Sequence, residues 1–180
     1  MPQTYIKYYW LENYIFNDVH EKFNRDGYLQ AFDFFSIIIW KANRAKSNIA
    51  KRLLNNNSDL EQSVRDLTNK IFLAPDNKQR LKVLIEDYKF LLPMSSAILT
   101  ILYPEDFTIY DVRVCAILPE FKGLDNTKDF EKKWIRYSEF VNSVKSYVPQ
   151  DISLRDKDRF LFGKSIFEQL TLDLKNNFKK

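Results

Sequence analysis

Helical periods dominate this chain, and no stretch alternates apolar and polar residues as a half-buried strand does. The clearest period covers residues 128–147, where Phe130, Trp134, Tyr137, Val141 and Val144 recur at steps of four, three, four and three. One apolar stripe on an otherwise polar segment is the mark of an amphipathic helix. Asp125, Asn126 and Thr127, just past Gly123, are its candidate caps, and Pro149 marks its end. Similar patterns predict a helix over 4–24 closed by Asp26-Gly27, and another over 29–54 closed by Asn55-Asn56-Asn57. A third starts after Ser58, with Glu61 placed as in a capping box. A fourth follows Pro75-Asp76 and carries Leu81, Leu84, Ile85 and Tyr88 on one face. Pro93 suits the first turn of a fifth, which ends near Tyr103; a short sixth follows Asp111, and a last helix follows Asp156. The fold expected is all-α: a compact, two-lobed bundle of seven or eight helices in one domain over 1–180, its lobes dividing near 55–60 and 119–127.

Composition narrows the chemistry. With 15 Phe, 10 Tyr and 3 Trp, the chain can bury a sizeable core. Its 3 Gly exclude a phosphate-cradling Gly-rich loop and a dinucleotide fingerprint. One cysteine, Cys115, excludes an internal disulfide and a cysteine zinc cage, and one histidine, His20, excludes a multi-histidine metal site. No metal or cofactor is therefore expected. Cys115 reads as a small buried hydrophobe and His20 as a surface or half-buried residue of the first helix. The start "MPQTYIKYYWLENY" lacks the basic region and long apolar core of a signal peptide, and the apolar run from Phe34 to Trp40 is too short to span a bilayer. The expected setting is cytoplasmic, away from membranes.

The formal net charge of +4 permits an anionic partner, and part of it is concentrated. No acid occurs between Phe34 and Ser58, whereas "WKANRAKSNIAKRL" holds Lys41, Arg44, Lys46, Lys51 and Arg52. On a continuous helix Lys41, Arg44, Asn48, Lys51 and Arg52 share one face, opposite Ala42, Ile49, Ala50 and Leu53. Such a face is either solvated or laid along a phosphate backbone, with double-stranded DNA the partner in view.

A second stretch, "LLPMSSAILTILYPEDFTIYDVRV", delivers a carboxylate, Asp111, among Ile109, Tyr110, Val112 and Val114. Two readings stay open: a plain helix N-cap, or a semi-buried carboxylate placed for chemistry. Backbone amides near Met94, Ser95 and Ser96, at the positive end of the preceding helix, could hold an anion. The acids and base opening the last helix, Asp156, Asp158 and Arg159, read first as partners of its dipole.

The order of these parts resembles the helix-hairpin-helix DNA glycosylase superfamily. Leu92-Pro93 and Ala97 match the ends of that family's L-P-G-x-G-x-[KT]-A hairpin, "AILTIL" its second helix, and "YDVRV" its aspartate segment. Met94 and Ser96 stand at the hairpin's glycine positions, and Ser95 where bifunctional members carry a Schiff-base lysine. The resemblance implies a monofunctional DNA-base N-glycosylase. Asp111 would stabilise the cationic sugar and activate water, and a flipped base would sit against Tyr110, Phe107, Trp40 or Trp10. Met94, Ser95 and Ser96, with Lys41, Arg44, Lys51 and Arg52, would bind the DNA. The alternative is a non-catalytic α-helical DNA-binding or protein-interaction module with the same fold.

Overall fold

A computed structural model describes residues 3–55, 59–148 and 151–179. Among these residues all regular structure is helical, as the periods predict, and the α-helices are more numerous and shorter than expected. The chain divides into two compact units, 1–103 and 104–180. Of the two stretches read as lobe boundaries, 119–127 falls within the second unit, and 56–58 lie outside the described residues.

In the first unit, α1 (Gln3–Tyr9) stops at Trp10, whose φ of −92° and ψ of 56° leave the helical region. The expected single helix over 4–24 is therefore two. Helices α2 (Leu11–Tyr14) and α3 (His20–Asp26) join through a π turn, Ile15–Val19, into one rod that seats Ile15, Val19 and Phe23 in the core. Gly27 ends it as predicted, at φ 74°, with its N–H on the Phe23 carbonyl at 2.9 Å.

The expected helix over 29–54 is also broken. Helix α4 (Ala31–Ala42) ends at Ala42, with φ −163° and ψ 85°; a 3-10 turn, Asn43–Ala45, follows, and then α5 (Lys46–Leu54). Ala42 and Ala45 keep the apolar period between Ile38 and Ile49, yet each offers only a methyl group. That is too little burial to hold the rod straight. Helix α4 has no side-chain cap of its own. Its opening amides are met by α6 (Leu60–Leu73): Leu29 N–H donates to Thr68 Oγ1 at 2.9 Å, and Ala31 N–H to Glu61 Oε2 at 3.0 Å. Glu61 thus caps a neighbouring helix. The cap of α6 is Asp59, which accepts from Glu61 N at 2.9 Å; the expected cap, Ser58, lies outside the described residues, as do Asn56 and Asn57.

Helix α7 (Asn77–Lys82), capped by Asp76, runs into a second π turn, Val83–Asp87. The extra residue in that turn rotates the apolar face. Leu81, Val83 and Leu84 are buried, while Ile85 is half-buried and Tyr88 falls past the helix end. Helix α8 (Leu92–Leu102) has Pro93 in its first turn and is buried on nearly every side from Met94 to Leu102. It is the central helix of this unit, against α3, α4 and α7. His20, half-buried, ties the rod to it: Nδ1–H donates to the Ile101 carbonyl at 2.8 Å, and Nε2 accepts from Asn24 at 2.9 Å.

The second unit holds α9 (Val112–Ile117), α10 (Phe130–Tyr147) and α11 (Leu154–Lys175). Phe130, Tyr137, Val141 and Val144 of the predicted stripe are buried, with Phe140 between them. The cap of α10 is Asp129, accepting from Lys132 N at 2.8 Å; residues Leu124–Asn126 form a 3-10 turn, so Asp125, Asn126 and Thr127 do not cap the helix. Helix α11 starts two residues before Asp156. Ser153 caps it, accepting from Asp156 N at 3.1 Å and donating to Asp156 Oδ2 at 2.8 Å.

Candidate functional site

Asp111 occupies the N-cap of α9, with φ −136° and ψ 144°. One carboxylate oxygen accepts the Arg113 N–H at 2.9 Å, and the Asp111 carbonyl accepts Cys115 N–H at 2.9 Å. The side chain is half-buried at the start of the helix, so both the cap and access to solvent are real features of this residue. Helix position and cap agree with the sequence expectation.

The aromatic residues expected around it are engaged elsewhere. Tyr110 is 4% exposed; its hydroxyl donates to the Phe121 carbonyl at 2.7 Å and accepts Leu124 N–H at 3.1 Å. Its ring lies edge-on to Phe140, with centroids 5.5 Å apart. Burial, with Cys115 beside it, pushes the Tyr110 hydroxyl up to about 12. Phe107 stacks on Tyr137 with centroids 6.2 Å apart, and both are core residues. Tyr137 closes the same layer by donating to the Thr108 carbonyl at 2.7 Å. Tyr110 and Phe107 are therefore packing residues, not open pocket walls. In the first unit, Trp40 is half-buried and edge-on to Phe16, and Trp10 is exposed beside Tyr9. Cys115 is buried as expected, and burial pushes its thiol up.

The hairpin residues differ from expectation in a physical way. The amides of Met94 and Ser95 both donate to the Leu91 carbonyl, at 3.0 and 2.9 Å, so they already have partners at the start of α8. Met94, Ser95 and Ser96 are buried, and Ser95 Oγ is enclosed without a hydrogen-bond partner. Apolar residues on all sides of α8 draw this helix start into the core. An anion-holding helix end needs open amides, which these residues do not offer.

The break at Ala42 separates the cations read as one helical face. Lys41 stays on α4, Arg44 sits in the 3-10 turn, and Lys51 and Arg52 lie on α5. Arg52 donates to the Lys89 carbonyl, and Lys46 to Asn43 Oδ1 at 2.8 Å. What the bend makes instead is a corner. From residue 39 to residue 48 no side chain is buried, and the sequence of this segment includes Lys41, Arg44 and Lys46 and no Asp or Glu.

A polar cluster that the sequence reading does not single out lies inside the first unit. Asp33, 3% exposed, accepts from the Tyr14 hydroxyl and from Lys22 Nζ at 3.1 and 2.9 Å. Lys22 Nζ also donates to the Tyr14 hydroxyl at 3.3 Å. Burial, reinforced by the bond to Asp33, pushes Tyr14 up to about 12. Burial alone would lower the Lys22 ammonium, but its bonds to Asp33 and Tyr14 outweigh that and raise it. A small cleft of about 90 Å³ opens beside the cluster, between Arg25, Tyr28 and Gln30. The signal was present in "AFDFFSIII", a carboxylate in apolar company like Asp111. A shallower depression of about 530 Å³ lies between α6 and α7, lined by Asn69, Lys70, Pro75 and Gln79. Neither cleft is lined by Asp111, Tyr110 or Phe107.

In the last helix, Asp158 is buried and held by Arg155, whereas Arg159 bonds Asp156 at 2.7 Å on the surface. Among the described residues no group of three or more His, Cys, Asp or Glu side chains is arranged to hold a metal ion. No helix among them is long and apolar enough to cross a membrane. Compared with family models, with curated proteins and with solved structures, the chain matches none.

Proposed function

We propose that this protein is a non-catalytic helical module that docks on the phosphate backbone of double-stranded DNA through the corner between α4 and α5. The observation that carries the reading is that corner: ten consecutive residues, 39–48, with no buried side chain, no Asp or Glu in their sequence, and Arg44 and Lys46, with Lys41 beside Trp40, set among small or polar residues from Ala42 to Asn48. Small residues such as Ala42, Asn43 and Ser47 let a backbone approach closely, and each neutralised phosphate releases condensed counterions. The contact positions the module without reading bases. Duplex binding followed against salt tests it. Affinity should fall steeply as salt rises, and Lys41→Ala with Arg44→Ala should reduce the log–log slope by about two, near 0.9 per lost phosphate contact. Binding that is undetectable, or indifferent to salt, removes DNA from the reading.

A second reading, a monofunctional DNA-base N-glycosylase, draws its support from Asp111, a half-buried carboxylate at a helix start. Such a group suits the stabilisation of a cationic sugar and the activation of water. Asp111→Asn separates the two readings. Under the glycosylase reading it abolishes base release from lesion-bearing duplexes while leaving fold and DNA affinity unchanged. If the wild-type chain releases no base across a broad panel of modified duplexes, that reading falls.

A further inference from the structure

Helix α11 carries apolar residues on two faces, and its own unit covers one of them, from Leu154 to Ser165. Leu154, Leu161 and Ser165 are buried on the inner face, together with Asp158. On the outer face Phe160, Gly163, Phe167, Leu170 and Leu174 recur at steps of three, four, three and four, the spacing of a helix-pairing seam. The four large side chains of that seam are 47, 72, 49 and 59% exposed.

Gly163 is the unusual member. A glycine inside a helix is unfavourable, and this one answers no need of its own chain: a Cβ added there would meet nothing within 4 Å, and its φ is not positive. A gap in the middle of an exposed apolar seam fits a large side chain from another helix. The flank of the seam carries a matching pattern, with Arg159, Ile166 and Asp173 at steps of seven. That order, basic then apolar then acidic, is complementary to itself when reversed.

We propose that α11 pairs antiparallel with α11 of a second copy of this chain, about a two-fold axis near Ser165–Ile166. In this register Phe167 of each copy fills the gap at Gly163 of the other, and Phe160 packs on Leu170 of the other. Arg159 then faces Asp173 across the flank twice, and Ile166 faces Ile166. The isologous arrangement needs no partner of different sequence. In the single chain Arg159 bonds Asp156 and Asp173 accepts from Gln169, both at the exposed surface, where such pairs hold weakly and can exchange. The seam and Ile166 together cover roughly 1,000 Å² for two copies, at the lower edge of specific interfaces, so a reversible dimer is the expected state.

Sedimentation equilibrium of the full chain over a wide concentration range tests the pairing. The wild type should show a concentration-dependent dimer. Phe167→Asp should weaken it at least 100-fold without changing the helical circular dichroism. Gly163→Leu should weaken it at least 10-fold while the isolated chain becomes no less stable, an effect that a merely structural glycine would not give. Arg159→Glu should weaken the dimer, and Arg159→Glu with Asp173→Arg should restore it. A chain that stays monomeric throughout overturns the proposal, as does a dimer that survives Phe167→Asp. So does a monomer whose outer α11 face binds phosphatidylserine–phosphatidylcholine vesicles instead.

Discussion

The Tyr110 hydroxyl donates to the Phe121 carbonyl at 2.7 Å and so joins the segment before α9 to the turn that follows that helix. The same oxygen accepts Leu124 N–H, so one buried group satisfies two backbone partners. Tyr110→Phe keeps the ring against Phe140 and removes only the oxygen. It should cost about 1–3 kcal/mol, because the buried Leu124 N–H loses its acceptor and the Phe121 carbonyl keeps only the weak Cys115 thiol as a donor. Urea unfolding of the variant checks this. A variant of wild-type stability would mean that these two bonds add nothing to the fold.

What the sequence makes legible is the part of the fold that is local. The period from Phe130 to Val144 lies within one helix, and its inward face follows from 3.6 residues per turn. Gly27 and Pro93 mark helix ends for reasons carried by their own backbone chemistry. The breaks at Trp10 and Ala42 are harder to see, since the apolar period continues across Ala42 and only the depth of burial fails there. Caps supplied by another helix are hidden altogether. Glu61 stands where a capping box would place it, yet its carboxylate reaches Ala31 on a helix 30 positions away. The candidate site divides along the same line. Asp111 as an N-cap is legible from its own segment, whereas the fate of Tyr110, Phe107 and Ser95 depends on which neighbours enclose them.

Two buried hydroxyls, with the Tyr137 hydroxyl and the Cys115 thiol raised in the same direction, make the fold sensitive to alkali. Tyr14 and Tyr110 are each pushed up to about 12, against 10.0 for an unburied tyrosine. Between pH 10 and about 12 the unfolded chain loses these protons and the folded chain keeps them. The folded state then binds more protons, so stability falls as pH rises. The contribution of these two tyrosines is complete below pH 10 and is lost as pH passes about 12, by an amount on the order of 2–3 kcal/mol for each. The raised Lys22 ammonium adds a loss of the same sign. Urea unfolding at a series of alkaline pH values measures the slope. Tyr14→Phe should flatten it, and an unchanged slope in that variant would remove Tyr14 from the account.

Two glycines should respond in opposite directions to the same substitution. Gly27 has φ 74°, and an added Cβ would come within 3.2 Å of the Phe72 ring. Gly27→Ala should therefore lose about 1–2 kcal/mol, through left-handed strain and a ring forced to shift. Gly163 is helical and faces open space, so Gly163→Ala should gain about 0.5–1 kcal/mol at concentrations where the chain is monomeric. Thermal unfolding of both variants at low concentration makes the comparison. Equal effects would contradict the geometry of one of the two sites.

Asp111 can be tested as a cap independently of any activity. Its carboxylate accepts Arg113 N–H at 2.9 Å, at the head of a helix only 6 residues long. A short helix depends on its ends, since few internal bonds hold it. Asp111→Ala should therefore cost about 1 kcal/mol, while Asp111→Asn, which caps as well, should stay close to wild type. Denaturant unfolding of the two variants, with the second unit followed by Trp134 fluorescence, gives both numbers. If the alanine variant is as stable as the asparagine variant, the cap contributes nothing. The carboxylate at the start of α9 would then require another explanation, and base-release chemistry would be the first to examine.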